Sequence, residues 1–333
     1  MDGIINVYKE RDWTSHDVVA KLRGILKQKK IGHTGTLDPE AQGVLPVCLG
    51  RATKVCELLT DQTKTYQAVM LLGQTTDTQD TTGTVQCERP VCCSEKEVRI
   101  CIAGFVGEQE QIPPMYSALK VNGKKLYELA RQGVEVERKA RTITIASIRI
   151  DAVKLPEVTM TVTCSKGTYI RTLCHDIGER LGCGGCMKSL LRTQVGPFAL
   201  SDSVKLEEIE RARDTGRLSE VVHHTDSVFM QLPFLILTPQ MERLVKNGNP
   251  LPMQMLRSMR GDAAVMQRNS AEVQEHSAAE APQVLLQMQN PADADFLQKA
   301  AQGTQIRIYG TDGSFLAVYE KREDQYRAVK MFL

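Results

Sequence analysis

The chain has 333 residues, 42% of them hydrophobic, and a formal net charge of +2 at pH 7. This length and composition are sufficient to bury a core, and they predict an ordinary globular protein of two domains. Because neither a signal sequence at the N-terminus nor a run of about 18 apolar residues is present, we expect a cytoplasmic protein with no membrane span.

Ten cysteines are scattered through the sequence, several of them within apolar segments. In a reducing compartment we expect them to be small buried hydrophobic residues and not disulfides. Cys183 and Cys186 have the spacing of a redox or metal-binding pair, but no second cysteine pair of zinc-ribbon spacing accompanies them. A lone pair is a weak motif, so we favour a structural turn over a zinc site.

The first predicted elements are a short strand over residues 3–8 and a helix that begins near Thr14. Thr14 or Ser15 is suited to cap this helix. The apolar residues that share one face of the helix are Val18, Val19, Leu22, Ile25 and Leu26. Residues 31–46 are rich in Gly, Thr and Pro and show neither periodicity, which predicts an ordered loop before the apolar run 44–49.

Strands and helices then follow one another irregularly. The periodicities predict strands over 63–74, 142–153 and 157–165 and helices over 94–105, 124–132 and 168–181. Leu155-Pro156 separates two of the strands, which predicts a hairpin. Because strands and helices do not alternate regularly, the pattern favours an α+β fold with a central mixed, largely antiparallel sheet flanked by helices.

The pattern changes after about residue 232, so we predict one domain over residues 1–232 and a small β-rich domain over residues 233–333. The second domain is predicted to contain a helix near 239–246 and three short strands over 305–309, 315–320 and 326–332. Residues 257–302 are rich in Ala and Gln and poor in aromatic residues, which is typical of a flexible or partly helical insertion. Residues 291–301 are its predicted helical part.

Positive charge is concentrated in one stretch of the chain. Residues 115–149 contain eight basic side chains and three acidic ones, which is enough to contact RNA phosphates. A solvated charged face explains the same stretch equally well. Charge alone therefore leaves the choice between these interpretations open.

The most informative segment is Gly35-Thr36-Leu37-Asp38-Pro39-Glu40-Ala41-Gln42-Gly43-Val44-Leu45, here called the aspartate loop. Its glycines and proline fix an irregular backbone that displays one carboxylate, that of Asp38. An isolated Asp-Pro dipeptide would favour a simple turn in which the aspartate bonds its own backbone. The complete segment instead favours a functional role for the Asp38 carboxylate.

The aspartate loop and four later blocks resemble the TruB family of pseudouridine synthases, whose signature the loop matches completely. The later blocks follow in the family's order, and they are residues 64–66, 72–80, 113–120 and 164–171. Five ordered blocks across about 170 residues are hard to produce by chance. The resemblance extends over residues 1–230 and is weaker beyond them.

The resemblance implies a pseudouridine synthase fold, followed by a PUA-like RNA-binding domain. It also implies isomerisation of uridine to pseudouridine at position 55, in the T-loop of tRNAs. This reaction breaks the bond between ribose C1′ and uracil N1, joins C1′ to C5 and removes the C5 proton. Since no redox change occurs, we expect no cofactor. The implied partner is tRNA, bound by a monomer that needs no obligatory protein partner.

The resemblance assigns the reaction to Asp38, acting either as a nucleophile or as a base toward a ribose proton. Arg171 is implied as its cationic partner, because a carboxylate beside RNA phosphates needs one to remain ionised. Tyr66 is implied to stack on the uracil and to assist removal of the C5 proton. Tyr169 and Leu190 are implied to line the pocket.

The remaining implied residues contact RNA outside the reacting sugar. His33 matches the family histidine that braces the gap left by an extruded uridine. Asp80 lies in a family block and is expected to position RNA or to hold structure. Lys64, Lys120 and Lys166 are expected phosphate contacts, which orient RNA without reading its sequence.

Three other interpretations remain open from the sequence. The first is a noncatalytic RNA-binding or RNA-folding protein that uses the same surface. The second is the guide-RNA-dependent pseudouridine synthase subunit of archaea and eukaryotes, which shares the aspartate loop and needs protein partners. The third is a glycoside hydrolase. Such enzymes usually have two carboxylates that face each other, and only one carboxylate of this chain lies in a matching motif, which argues against this interpretation.

Overall fold

The computed structural model describes residues 1–121, 123–257 and 294–333. The chain forms two compact units within these residues. The larger unit, called the sheet unit, comprises Ile5–Leu49 and Val55–Val222, and the C-terminal unit comprises Met1–Ile4, Gly50–Lys54 and His223–Leu333. No helix in the described part of the chain is long and apolar enough to cross a membrane.

Thirteen strands precede residue 200. They are β1 (Gly3–Lys9), β2 (Ile31–His33), β3 (Gln42–Leu49), β4 (Lys64–Leu72), β5 (Gln74–Thr76), β6 (Val85–Glu88), β7 (Gly107–Gln111), β8 (Lys120–Val121), β9 (Lys124–Lys125), β10 (Arg141–Lys154), β11 (Glu157–Cys164), β12 (Gly185–Val195) and β13 (Phe198–Ala199). Nine of them form one sheet with the order β1-β3-β12-β4-β11-β10-β7, to which β2 and β13 are added beside β3 and β12. The pairs β5-β6 and β8-β9 form two small sheets.

Helices cover this sheet. They are α1 (Ser15–Leu26), α2 (Cys56–Thr60), α3 (Glu95–Ala103), α4 (Leu126–Arg131), α5 (Ile170–Arg180) and α6 (Leu206–Asp214). The β3–β12 pair is parallel, whereas β4, β7, β10 and β11 pair antiparallel. The predicted α+β class with a mixed, largely antiparallel sheet is confirmed.

The hairpin of β10 and β11 forms where the sequence predicted it. Val158, Met160, Val162 and Cys164 of β11 are buried and alternate with less buried residues, because successive side chains of a strand point to opposite faces. Leu155-Pro156 makes the turn. Burying this row of side chains against α3 and α5 forms the main core of the sheet unit.

Helix α1 begins at the predicted cap. The Thr14 hydroxyl accepts a hydrogen bond from the Asp17 amide at 3.1 Å, and the Asp17 carboxylate accepts one from the Thr14 amide at 2.9 Å. This reciprocal arrangement satisfies two amides that a helix start would otherwise leave unpaired. It fixes the position of Ser15, which contacts the aspartate loop.

Two short elements differ from the prediction. Residues 31–33 are a strand, β2, and not part of the loop, because they pair with Val47–Leu49 of β3. Lys124 and Lys125 form β9 before α4, where a helix was predicted. Segments of two or three residues are too short to show a period, so these strands are recognised only by their pairing, β2 with β3 and β9 with β8.

The C-terminal unit contains a five-stranded sheet. Its strands are β14 (Phe234–Ile236), β15 (Leu251–Pro252), β16 (Gln305–Tyr309), β17 (Phe315–Arg322) and β18 (Gln325–Met331), in the order β14-β16-β17-β18-β15. Its helices are α7 (Pro239–Lys246), α8 (Met253–Arg257) and α9 (Ala294–Lys299). The predicted helix near 239–246 and the three predicted strands are confirmed, whereas β14 and β15 were not foreseen.

The predicted insertion over residues 257–302 lies largely outside the described residues, which omit 258–293. Its described end includes α9, in agreement with the predicted helical character of residues 291–301. The Lys321 ammonium donates hydrogen bonds to the carbonyls of Gln298 and Ala300 at 2.8 and 2.7 Å. This side chain therefore caps the C-terminal end of α9.

Gly43 joins the aspartate loop to β3 at a position that has no room for a side chain. Its φ is +104°, and a Cβ added there would lie 2.2 Å from the carbonyl oxygen of Arg192. We expect Gly43→Ala to lower the free energy of unfolding by about 2–4 kcal/mol, because backbone strain and overpacking combine. Urea denaturation measures this change.

Gly24→Ala is the matched control. Gly24 lies inside α1, and a Cβ there would meet nothing within 4 Å. Removing a helical glycine is expected to stabilise the protein by about 0.5–1 kcal/mol. Equal stability of the two variants would contradict the close contact between Gly43 and β12.

Candidate active site

The aspartate loop is anchored by its neighbours on both sides of Asp38. Leu37 is buried in the core, and its amide donates a hydrogen bond of 2.9 Å to the Ser15 hydroxyl. The Ala41 amide donates to the Asp38 carbonyl at 3.1 Å. Because the backbone before and after Asp38 is held, its side chain is displayed from a rigid turn, 39% exposed.

Two buried cations hold the carbonyl groups of the same loop. The Lys9 ammonium donates to the carbonyls of Pro39 and Ala41 at 3.0 and 2.6 Å. The Arg192 guanidinium donates to the Val44 carbonyl at 2.7 Å and, more weakly, to the Gly35 carbonyl at 3.5 Å. These contacts satisfy carbonyls that the irregular backbone leaves without a partner in regular structure.

Arg171 forms a two-pronged ion pair with Asp38. Its Nε lies 2.9 Å from Asp38 Oδ2, and its Nη2 lies 3.3 Å from Asp38 Oδ1. Two further donors of the guanidinium bond the carbonyls of Thr78 and Tyr116 at 2.9 and 2.8 Å. Since the Arg171 side chain is only 5% exposed, its direction is fixed from several sides, and it fixes the carboxylate in turn.

Asp80 is a second acidic neighbour of Arg171, with its Oδ2 3.8 Å from Arg171 Nε. Its other oxygen accepts hydrogen bonds from the Thr78 hydroxyl and the Thr82 amide at 2.8 and 3.0 Å. Asp80 is buried. It therefore contacts Arg171 on the buried side of the ion pair, whereas the Asp38 carboxylate is partly exposed to solvent.

Tyr66 and Tyr169 complete the group of residues around Asp38. Burial raises the pKa of each phenol, and the charge of Asp38 adds to the rise in both. Tyr66 lies on β4. Tyr169 precedes α5, where its amide donates to the Gln111 side chain at 2.8 Å. We call Asp38, Tyr66, Asp80, Tyr169 and Arg171 the aspartate cluster.

Leu190 and His33 are two further predicted site residues. Leu190 on β12 is buried in the same core as Leu37. The His33 ring accepts a hydrogen bond from the Gly35 amide at 3.3 Å and meets the edge of His16 with ring centroids 5.2 Å apart. Burial lowers the pKa of His33, and the charge of His16 lowers it further, so a neutral imidazole is favoured at pH 7.

The three lysines expected to contact phosphates differ in their surroundings. Lys64 is buried, and its ammonium bonds the carbonyls of Thr60 and Gln62. Burial lowers the pKa of Lys64 to about 8. Lys166 is exposed and forms an ion pair of 2.8 Å with Asp61. Lys120 lies on β8, paired with Lys125.

Cys183 and Cys186 are both buried at the turn that enters β12. Burial raises the pKa of both thiols, which disfavours the thiolate that metals and oxidants require. Among the residues with described positions, no group of three or more His, Cys, Asp or Glu side chains is arranged to hold a metal ion.

Sequence reasoning missed Lys9, Ser15 as a loop anchor, and Arg192. Lys9 and Arg192 end or interrupt apolar strands, where a charged residue is ordinarily expected to face solvent. Ser15 was considered only as a helix cap. The periodicity of the sequence does not reveal the role of such residues. Their role follows from carbonyl groups of a distant loop, which need hydrogen-bond donors.

Comparison with known proteins shows which family the chain resembles. Residues 23–170 match the model of the TruB family pseudouridylate synthase N-terminal domain, and residues 171–230 match the tRNA pseudouridylate synthase B C-terminal domain. A tRNA pseudouridine synthase B of Lachnoclostridium phytofermentans is 46% identical over 343 aligned positions, covering 100% of both chains. One of Clostridium kluyveri is 39% identical, also over 100% of both chains.

A solved structure shares the fold. A chain of an H/ACA RNP bound to a substrate RNA containing 2′-deoxyuridine aligns with a TM-score of 0.66 at 22% identity, covering 99% of this chain and 85% of its own. At this identity the likeness shows architecture alone. Together with the family models, it confirms the predicted α+β architecture, in which a mixed sheet is followed by a smaller β-rich sheet.

Proposed function

The chain belongs to the TruB family of pseudouridine synthases, and from this membership we propose that it acts on the uridine at position 55, in the T-loop. It is an enzyme that isomerises uridine in tRNA to pseudouridine, as the relatives named tRNA pseudouridine synthase B indicate. The assignment of position 55 rests on the aspartate loop and the blocks that follow it.

The observation that carries the proposal is the exposure of one carboxylate within an otherwise buried ion pair. Asp38 is 39% exposed, while Arg171 is 5% exposed and contacts it through two nitrogens. Because Arg171 fixes the carboxylate while part of it stays exposed, Asp38 can approach a bound sugar without a change of conformation. We assign Asp38 to the ribose, either as a nucleophile at C1′ or as a base toward a ribose proton.

The reaction needs the uracil to remain bound after its glycosidic bond breaks. The charge of Asp38 acts on the phenols of both Tyr66 and Tyr169, and an aromatic ring can stack on the flat face of any base. We propose that both rings retain the base while its C5 turns toward C1′. Leu190, buried beside the cluster, supplies an apolar wall.

Removal of the C5 proton requires a base near the new bond. We assign this role to Tyr66, because it matches the family tyrosine implied for this step and the charge of Asp38 acts on its phenol. The C5–H electron pair forms the C5–C6 double bond, N1 takes up a proton from water, and the phenolate form of Tyr66 takes up the C5 proton. The step restores an aromatic base with no change of oxidation state.

The RNA must expose its uridine before this chemistry can begin. We propose that His33, as a neutral ring beside the loop, braces the gap left by the extruded nucleoside. Asp80 then supports the Arg171–Asp38 pair from behind. Lys120 and Lys166 are proposed phosphate contacts. We propose that the protein works as a monomer in the cytoplasm, with no cofactor and no obligatory protein partner.

Nucleotide-resolved mapping of pseudouridine tests this proposal. A T-stem-loop transcript is incubated with the purified protein alone, without added cofactor, protein partner or guide RNA. We expect one product, at the uridine corresponding to position 55. A matched transcript with cytidine at that position is the control and is expected to give none.

The outcomes separate the alternatives. Product at another uridine would overturn the positional assignment. Activity that appears only with a guide RNA and further proteins would favour the guide-dependent subunit. Binding of the stem-loop without any product would favour a noncatalytic RNA-binding protein.

A further inference from the structure

Arg192 is a buried arginine that the proposed chemistry leaves without a role. It is 1% exposed and lies on β12 directly opposite Tyr66 of β4 in the antiparallel register. Among the residues that the structure describes, its only titratable hydrogen-bond partner is the Tyr66 hydroxyl, and no carboxylate pairs with it. An arginine buried in this way is costly unless an anion or several acceptors offset its charge.

The surroundings of Arg192 add positive charge and do not neutralise it. Lys9, Lys64 and His33 lie near enough that its charge contributes to lowering the pKa of each, after the larger effect of burial. Burial lowers the pKa of both lysines to about 8. Asp38, whose charge acts on Lys9, is already paired with Arg171. A site with surplus buried positive charge stabilises an anion that forms within it.

Tyr66 is the group in which such an anion can form. The titratable groups that face it are Arg192 from β12, Cys164 from β11 and Asp38 from the aspartate loop. Burial raises the pKa of the Cys164 thiol to about 11, so it stays neutral. Burial raises the pKa of Tyr66, and Arg192 opposes that rise through its charge and its hydrogen bond.

We propose that Arg192 is a positioning residue whose guanidinium stabilises the phenolate form of Tyr66, the form that accepts the C5 proton. This inference rests on the proposed function, because it concerns the last step of that reaction. The Tyr66 phenol first loses its proton to water. The phenolate then takes the proton from C5, whose electron pair returns to the ring, and Arg192 remains a cation throughout.

The simpler role for Arg192 is a mechanical one, since it also bonds the carbonyls of Gly35 and Val44. The two roles predict different dependence on pH. The phenolate fraction of Tyr66 falls about tenfold for each pH unit below its pKa. A displaced loop instead costs the same factor at every pH.

The test uses single-turnover rates of the full chain on a stem-loop RNA with hydrogen or deuterium at C5 of the target uridine, between pH 6.5 and 9. In wild type we expect a step other than removal of the C5 proton to limit the rate, which then varies little with pH. For Arg192→Gln we expect a loss of about 10- to 100-fold at pH 7, because a rise of one to a few units in the pKa of Tyr66 makes proton removal limiting. The rate of the variant should therefore rise about tenfold per pH unit, with a larger deuterium effect than in wild type.

Two comparisons complete the design. In the Tyr66→Phe background, Arg192→Gln should cost less than about threefold, because the hydroxyl through which it acts is gone. Ser15→Ala loosens the same loop at Leu37 without touching Tyr66, so its loss should not vary with pH. If Arg192→Gln is too unstable to purify, Arg192→Lys is judged by the same pH slope and isotope effect.

A loss that is constant over pH, without an increased deuterium effect, would overturn the proposal, as would an undiminished loss in the Tyr66→Phe background. Either result would leave Arg192 as a clamp of the loop. Failure of the proposed function is a separate result, because wild type would then give no pseudouridine at any pH.

Discussion

Asp38→Asn is expected to abolish pseudouridine formation while leaving the affinity for tRNA within about threefold of wild type. Removing the group that attacks a substrate costs on the order of 10⁴-fold or more in enzymes where it has been measured. The amide is of nearly the same size, so the loop anchored by Ser15 and Lys9 should keep its shape. Single-turnover rates on a T-stem-loop and a direct binding titration measure the two quantities.

Asp214→Asn is the matched control for this variant. Asp214 also forms an ion pair with an arginine, at 2.6 Å from Arg213, but it lies at the surface with 60% exposure. Exposed pairs contribute little to stability, and this pair is not part of the aspartate cluster. Wild-type rates are expected. Comparable turnover by Asp38→Asn and wild type would defeat the assignment of Asp38.

Arg171→Lys is expected to lower the single-turnover rate by about 100-fold or more, with little change in RNA affinity. Lysine keeps the charge but loses the planar fork that contacts both oxygens of Asp38 and two carbonyl groups. A carboxylate displaced by about 1 Å can lose about 100-fold in rate. Stopped reactions at saturating enzyme give the rate, and filter binding gives the affinity.

Arg99→Lys provides the corresponding control. Arg99 forms an exposed ion pair of 2.7 Å with Glu95 on α3. The same substitution is therefore made at a position where the planar guanidinium does not orient a reacting group. We expect an unchanged rate. If Arg171→Lys instead weakened RNA binding and left the rate of bound RNA intact, Arg171 would be a phosphate contact.

Most features of this site that depend on neighbouring residues in the chain could be predicted from the sequence. The aspartate loop, the cap of α1 at Thr14 and the β10–β11 hairpin all rest on short-range signals, namely turn residues, a capping pair and a period of two. Each of these elements lies where it was predicted. The catalytic assignments to Asp38 and Arg171 required resemblance, because composition alone gives an aspartate in a turn.

Contacts between distant segments could not be predicted in this way. The Lys9 ammonium meets carbonyls about 30 residues away, and Arg192 meets Val44 across 148 residues. Neither leaves a periodic trace, since both residues interrupt apolar strands. The burial of Lys64 was likewise not predictable, because its family block indicated an RNA contact and gave no sign that its ammonium bonds local carbonyls.

A structure of the protein with a T-stem-loop that carries 5-fluorouridine at the target position tests the central claim most directly. Fluorine replaces the C5 proton, so the last step cannot proceed and the complex is held. The account predicts an extruded nucleoside between Tyr66 and Tyr169, with an Asp38 carboxylate oxygen within about 3.5 Å of the ribose carbons. A target nucleoside still stacked in the RNA loop, or turned with its sugar away from Asp38, would contradict it.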